Sequence, residues 1–291
     1  RVIKKAICFG ALWLMCSAQS ALAAYSSIVE ATGESCEADG GDAQRLQLAL
    51  TDARRNAAEA VQTSVDSYSK VNNYVVVEDL IESYSNASVE TLNVLSRQLQ
   101  EGCLTVTIRA EVTPQKNIDQ QFVSEELLAD PTIPLTVKLW LSKAQYAVGE
   151  QVSIYLKANK PFFGRLVYTM NDGTQVQLLP NPYRSENHFQ GQVLYTVPDA
   201  KDSFLLEVTP PIGVEQLTLY ASTHPLGELQ TSAVSGMYLI NNSQTSSDVR
   251  NRTRGIKITG VNPPSAKAAV PQTPTEVAEF AEVSADVVIT Q

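Results

Sequence analysis

The feature that most constrains the fold of this chain is a run of alternating polar and apolar residues between positions 135 and 221. Every second residue is apolar in residues 135–141 and again in residues 152–156. A strand that is buried on one face has this period of two. Further on, Asn171-Asp172-Gly173 separates two more alternating runs, and these residue types adopt the positive φ of a hairpin turn at low cost. Regularly spaced strands and turns, without helical periodicity between them, predict an antiparallel β-sandwich over residues 135–261.

The preceding segment, residues 24–113, has the pattern of a small α+β domain with a strand, helices and a β-hairpin. Apolar side chains recur three or four positions apart from Leu46 to Val61, which is the spacing of an amphipathic helix. Residues 71–87 predict a second, broken helix. Residues 89–100 and 104–112 flank Glu101-Gly102 and predict a hairpin with one face in water. The predicted fold class is therefore α+β, with this domain followed by the sandwich.

Residues 1–23 have the pattern of a cleaved export signal. Basic residues at the start are followed by an apolar stretch and by Ala21-Leu22-Ala23, a small-residue cleavage site. The apolar stretch is about ten residues long, whereas a membrane-spanning helix needs about 20. We therefore expect export and cleavage rather than a membrane anchor.

Three further segments are predicted outside the two domains. Residues 114–134 form a linker that contains a short helix. Residues 262–280 are rich in proline, alanine and threonine, which predicts a flexible excursion because such a composition cannot bury a core. Residues 281–291 alternate again and favour a final strand, with disorder of this tail as the alternative.

The cysteines indicate the compartment. Cys8 and Cys16 belong to the predicted signal, so the mature chain retains Cys36 and Cys103, which are 67 positions apart. An even pair of cysteines in an exported protein most often forms a disulfide. In the chain-entropy model a bridge closing a loop of this length stabilises the fold by about 4 kcal/mol. A redox function is disfavoured because the spacing is not Cys-x-x-Cys.

The acidic composition limits the classes of partner. The chain has 22 Lys+Arg and 31 Asp+Glu, and the predicted signal removes three bases and no acids. Nucleic-acid binding needs clustered cations that displace counterions, and anionic membranes attract basic segments. We therefore predict no nucleic-acid partner and no membrane insertion after signal cleavage.

Sequence motifs for catalysis are absent from the chain. It has two histidines, His188 and His224, and no HExxH, Cys/His cluster or glycine-rich phosphate loop. His188 lies near Ser185 and Glu186, but a hydrolase would need a nucleophile held against the histidine. We predict a protein that is not an enzyme and has no cofactor and no metal, with an uncharacterised hydrolase as the weakest alternative.

Three aromatic residues are candidates for an interface with another protein. Phe162, Phe163 and Tyr183 fall at predicted strand ends or in loops. Exposed aromatic side chains at such positions contribute strongly to protein–protein binding. Core positions for the same residues are the alternative.

Both predicted domains also resemble known families. The segment KAQYAVGEQVSIYLKANKPFFGRLVYTMNDGTQVQLLPNPY, followed by GQVLYTVPD, FLLEVTPPIGVEQLTLYAST and TRGIKI, resembles the bacterial family called domain of unknown function 4384. That resemblance implies an accessory or interaction β domain of exported proteins. The helix ALTDARRNAAEAV and the strand TVTIRAEV resemble the N-terminal domain of the flagellar H-ring T protein and of related envelope lipoproteins. This second resemblance implies a module that assembles or decorates large envelope structures.

Taken as a whole, the sequence predicts a non-catalytic exported protein of the bacterial periplasm or cell surface. Its expected role is that of a protein-interaction or assembly scaffold module in a flagellar, secretion or surface assembly. Its expected partners are other envelope or surface-assembly proteins, or further copies of itself. The alternative function is a ligand- or glycan-binding accessory β domain, which predicts a change of stability with a small molecule rather than with a protein.

Overall fold

The computed structural model describes residues 22–36, 41–72, 84, 86–115, 118–119, 123–227, 229, 231–234, 237–240 and 275–291. Several predicted features lie outside these ranges: the export signal up to residue 21, most of the second helix, and the excursion up to residue 274. The last two residues of the predicted signal, Leu22 and Ala23, begin the first strand.

The N-terminal part packs one long helix on three antiparallel strands. These elements are β1 (Leu22–Ser35), α1 (Gly41–Asn72), β2 (Ser88–Gln100) and β3 (Cys103–Thr113). β3 lies between β1 and β2, and Glu101 and Gly102 in the hairpin turn have positive φ. The predicted hairpin is therefore present at almost the predicted positions.

Small residues allow α1 to approach the sheet closely. Ala49, Ala53 and Ala57 are buried in one cluster with alternate residues of β3. At Gly33 in β1, an added Cβ would lie only 2.1 Å from the backbone nitrogen of Ala53. Because no side chain fits there, glycine is required where β1 and α1 meet.

The remaining strands of the described chain build most of a large sheet and all of a small one. A three-stranded sheet has the order β11-β7-β5, and the main path of a twelve-stranded sheet runs β13-β14-β9-β8-β12-β15-β1-β3-β2. The bounds of these strands are β4 (Ile118–Asp119), β5 (Val137–Leu141), β6 (Gln145–Ala147), β7 (Ile154–Ala158), β8 (Phe162–Thr169), β9 (Gln175–Leu179), β10 (His188–Phe189), β11 (Tyr195–Val197), β12 (Gly213–Ser222), β13 (Thr231–Val234), β14 (Met237–Ile240) and β15 (Thr275–Thr290).

β15 joins the two parts of the large sheet. Its residues 280–289 pair antiparallel with β12, its residues 275–283 pair with β1, and β6 runs parallel beside its end. The fold is mostly antiparallel β with α1 on one part, so the α+β prediction is confirmed at this level. A β-sandwich separate from the first domain is not observed, because β15 pairs with strands of both parts.

The start of β15 corrects one prediction. The composition of residues 262–280 predicts a flexible excursion, but residues 275–280 belong to the strand β15. Ala278 and Phe280 are buried in one cluster with Ile28 of β1. Burial of these side chains explains why the segment is ordered despite the proline-rich sequence before it.

The predicted linker is fixed to the small sheet. It contains a short helix, α2 (Glu125–Ala129), with Ser124 as its N-cap. The fully buried amide of Asn159 donates to the carbonyl oxygens of Asp130 and Ile133, at 2.8 and 3.2 Å, and accepts from the backbone N–H of Thr136 at 2.8 Å. These bonds satisfy backbone groups that would otherwise be buried without partners.

The long helix α1 is too polar to span a bilayer. α1 has 32 residues, but charged residues recur along it. Within the described ranges, no helix has both the length and the apolar character needed to cross a membrane.

Candidate functional site

β2 forms one edge of the large sheet and exposes apolar side chains. Among the described strands it pairs with β3 alone. Leu92, Leu95 and Leu99 are exposed, and Leu99 retains 63% of its accessible surface. An extended segment of another protein can bind to an edge strand by adding a strand beside it. We call Ser88–Gln100 with these three leucines the β2 edge.

Two of the three exposed leucines lie at irregularities in the pairing. The register between β2 and β3 shifts between Thr91 and Asn93 and again between Val94 and Ser96. Leu92 and Leu95 are thus extra residues without a Cα partner on β3, as in a β-bulge. Between Glu90 and Arg97 the strand has no charge and no proline, although these are common means of protecting an edge from association.

Covalent and polar contacts hold the sheet behind this edge. The predicted disulfide joins Cys36 to Cys103 and so ties the end of β1 to the start of β3. Arg109 and Glu30 form an ion pair at 2.5 Å between β3 and β1. Arg54 of α1 donates to Thr91 of β2 at 2.9 Å. The disulfide and these polar contacts therefore hold β1, β3 and α1 in place behind the β2 edge.

The cysteines have a carboxylate beside them but do not form a metal site. Ligand atoms of Glu34, Cys36 and Cys103 lie within 4.8 Å of one another. Both sulfur atoms are consumed by the disulfide, whereas metal binding requires free thiolates. Glu34 therefore lies beside a structural disulfide.

The three candidate interface aromatics lie in different environments. Phe162 is fully buried and stacks on Phe189, with ring centroids 5.0 Å apart, so its assignment to an interface is wrong. It begins β8, and strand alternation directs its side chain into the core. Phe163 is half-buried against His188 at 4.8 Å, and Tyr183 is 56% exposed and stacks on Phe204. A contact role for Phe163 and Tyr183 stays a prediction.

His188 has surroundings that differ from those of a catalytic base. Its ring contacts Phe163, and its backbone N–H donates to the Glu186 carboxylate at 3.1 Å. In the described ranges, no serine, threonine or cysteine forms a hydrogen bond with the ring. This geometry gives no support to the hydrolase alternative, because a triad needs a nucleophile bonded to the base.

A cavity of about 320 Å³ lies between the two sheets, at the end of the C-terminal part. β8, β9, β12 and β15 form one wall, Leu141, Val152 and Ile154 form the opposite wall, and residues 205–211 form the rim. The walls are mainly aliphatic. Volume and lining are typical of a site for a small ligand.

The polar groups of the cavity wall are Tyr168 and Glu215. Glu215 is only 6% exposed. Its carboxylate accepts a short hydrogen bond from the Tyr168 hydroxyl and another from the backbone N–H of Asn171 at 3.4 Å. Burial, and secondarily this bond to Glu215, raise the pKa of Tyr168 well above its usual range. The neutral phenol is therefore held as a donor to the carboxylate.

Sequence reasoning missed Glu215, although a signal was present. Glu215, Leu217, Leu219 and Ala221 are alternate residues of one predicted strand, and the last three are buried in the core. An acidic residue at the inward positions of such a strand is unusual, since a buried charge costs free energy unless it is paired or hydrogen-bonded. The acidic residue at position 215 therefore indicates where the cavity lies.

Comparison with known proteins confirms both predicted resemblances in the predicted order. Residues 27–114 match the family described as flagellar assembly protein T, N-terminal domain, and this segment covers α1, β2, β3 and the second part of β1 from residue 27 onward. Residues 145–225 match a domain of unknown function, DUF4384, and contain Phe162, His188 and Glu215. No curated protein and no solved structure matches the chain. The chain thus joins a segment similar to the N-terminal domain of flagellar assembly protein T to a segment similar to DUF4384, with β15 outside both matched ranges.

Proposed function

We propose that this chain is an exported, non-catalytic protein of the bacterial cell envelope that binds other proteins in an assembly of the flagellar type. The observation that carries the proposal is the match of residues 27–114 to the N-terminal domain of a flagellar assembly protein. The disulfide supports an oxidising compartment, because such bonds persist outside the cytosol. The periplasm or the cell surface fits both observations.

The β2 edge is the surface that we assign to partner binding. It belongs to the matched segment and combines three exposed leucines with a strand that pairs on one side only among the strands that the structure describes. The proposed occupant is an extended segment of another envelope protein, which would add a strand beside β2 and cover the leucines with its own apolar side chains. Main-chain hydrogen bonds would supply affinity, and the leucines would supply specificity.

Photocrosslinking in cells tests this assignment. A photoreactive amino acid placed at Leu99 should capture envelope assembly proteins, identified by mass spectrometry of the adduct. The matched control is Leu194, which is 56% exposed in the C-terminal part. It should give none of these adducts.

A charged variant sharpens the test. Leu95→Lys with Leu99→Lys should abolish partner capture from a photoreactive residue at Leu92. The melting temperature should change little, because both leucines are exposed at the surface. Capture that persists in this variant, or that is the same from Leu99 and Leu194, would exclude the β2 edge. Adducts only between copies of this chain would replace the partner with a second copy.

A further inference from the structure

The cavity between the two sheets is independent of the β2 edge, and its shape is fixed by backbone contacts. Its rim bonds to residues 149–152 through three hydrogen bonds: Gly149 N–H to Val208 O at 2.9 Å, Val152 N–H to Leu206 O at 2.8 Å, and Val208 N–H to Glu150 O at 2.9 Å. Protein interiors are close-packed and contain few voids larger than a water molecule. A space of about 320 Å³ that is held open in this way is suited to a bound molecule.

The lining restricts what that molecule can be. The walls are aliphatic, and Leu205 at the rim is 70% exposed, so an apolar body can enter and displace poorly bonded water. A glycan does not fit this space, because its many hydroxyl groups each need a polar partner. Tyr168 and Glu215 are the polar groups of the inner wall, and the phenol is already engaged with the carboxylate.

Glu215 determines the charge of the ligand. The carboxylate accepts bonds from Tyr168 and Asn171, and no described lysine or arginine forms an ion pair with it. Two carboxylate oxygens provide about four acceptor positions, so capacity remains for a donor from the ligand. A cation would offset the free-energy cost of this buried charge, whereas a second anion would increase that cost.

We propose that this cavity binds a small amphiphile with an aliphatic body and a primary ammonium group, with the ammonium group bonded to Glu215. The aliphatic body lies between the two sheets, against Val152, Val176 and Leu217. The Tyr168 hydroxyl holds the carboxylate in place, so the site is formed before the ligand arrives.

Isothermal titration calorimetry with three probes of equal chain length tests the proposal: n-octylamine, n-octanol and sodium octanoate. We expect n-octylamine to bind with one molecule per chain and at least about ten-fold more tightly than the other two. A preference of that size corresponds to one charge-assisted hydrogen bond. If n-octylamine fails to bind, or if octanoate or octanol binds as tightly, the proposal is wrong.

Two variants assign any binding to this cavity. Glu215→Gln keeps the side-chain size and removes the charge, so n-octylamine should lose about ten-fold in affinity while n-octanol is unchanged. Val152→Phe fills the cavity and should abolish binding of n-octylamine. The control Val193→Phe changes a residue that is 43% exposed and does not line the cavity, and it should bind as the unmodified chain does. Unchanged n-octylamine affinity in Glu215→Gln or in Val152→Phe would overturn the assignment.

Discussion

The N-terminal and C-terminal parts of the molecule bury their cores in different ways. In the N-terminal part, alanines of α1 lie against β1 and β3 at the closest distance that backbones allow. In the C-terminal part, leucine, isoleucine, valine and phenylalanine side chains from two sheets meet in one cluster, and a cavity remains at its end. Alanines at the contact let the helix backbone lie close to the sheet, so we assign binding by the first part to its surface. A core of large residues between two sheets can contain a ligand site.

Two optical probes can follow these parts separately. α1 provides most of the described helix, so circular dichroism at 222 nm reports on the N-terminal part. Trp140 is the only tryptophan after the predicted signal and lies in β5 of the small sheet, so its fluorescence reports on the C-terminal part. Both signals can be recorded during the same urea titration, so the unfolding transitions of the two parts can be compared.

The largest effect is expected from removing the disulfide. Cys36→Ala with Cys103→Ala should lower the free energy of unfolding by about 4 kcal/mol in the chain-entropy model, because the bridge closes a loop with a sequence separation of 67. The transition followed at 222 nm should shift to lower urea concentration than the fluorescence transition, since both cysteines lie in the N-terminal part. A decrease below about 1 kcal/mol would show that the unfolded chain is already constrained there by other contacts.

Gly33→Ala should cost roughly 3 kcal/mol, because the new methyl group would overlap the backbone of α1 and force the helix away from the sheet. The matched control is Gly102→Ala, where φ is positive but an added Cβ meets nothing within 4 Å. That change should cost only about 1 kcal/mol of backbone strain. Equal costs for the two variants would contradict the close-packing explanation.

Glu279→Ala should lower the free energy of unfolding by about 2 to 3 kcal/mol. Glu279 in β15 bonds Lys160 at 2.6 Å and the backbone N–H of Leu135 at 2.5 Å, and its own N–H donates to Thr223. Removing the carboxylate leaves both donors without this partner, so the 222 nm and fluorescence transitions should separate. Asp286→Ala in the same strand is the control and should leave them coincident. Coincident transitions in Glu279→Ala would mean that backbone pairing alone couples the two parts.

The smallest effect concerns pH and the cavity wall. The folded chain holds the proton of Tyr168 more tightly than the unfolded chain does, because burial raises the pKa of this residue. The contribution of Tyr168 to the free energy of unfolding is therefore complete below the ordinary tyrosine pKa of about 10. It decreases as the pH rises beyond that value. Solvent screening of a half-buried ring keeps this contribution below about 1 kcal/mol.

Tyr168→Phe is the variant that isolates this contribution. Between pH 8 and pH 10.5 it should lose less stability than the unmodified chain. Identical pH dependence of unfolding in the two proteins would show that Tyr168 ionises normally.

Features that depend on neighbouring residues could be predicted from the sequence. The hairpin of β2 and β3 follows from alternation around Glu101-Gly102, and α1 follows from the spacing of its alanines. The disulfide needed only the count of cysteines in an exported chain. The hairpin and the helix reflect physical preferences within a short segment, whereas the disulfide joins residues 67 positions apart and could be predicted because only one pair of cysteines follows the predicted signal.

Features that depend on distant contacts could not be predicted in the same way. β15 pairs with β1 and β12, which come from different parts of the chain, and alternation alone does not specify which strands pair. Phe162 follows a proline and resembles a loop residue in sequence, but it is buried because Gly164 leaves room for Phe189 beside it. The cavity is a space between elements, so no single segment encodes it, although Glu215 indicates its position.

The location of β15 has a consequence for how the protein acquires its structure. Ala23 pairs with Val283, so the pairing of β15 with β1 joins residues that are 260 positions apart in the sequence. During synthesis, β1 and β12 are made before β15, so the strand edges that pair with β15 are uncovered until that segment exists. Pairings between residues so far apart in sequence form slowly, because loop-closure entropy opposes them. A chain in which β15 has not yet paired would therefore be vulnerable to aggregation and proteolysis, and a chaperone that shields strand edges would favour its maturation.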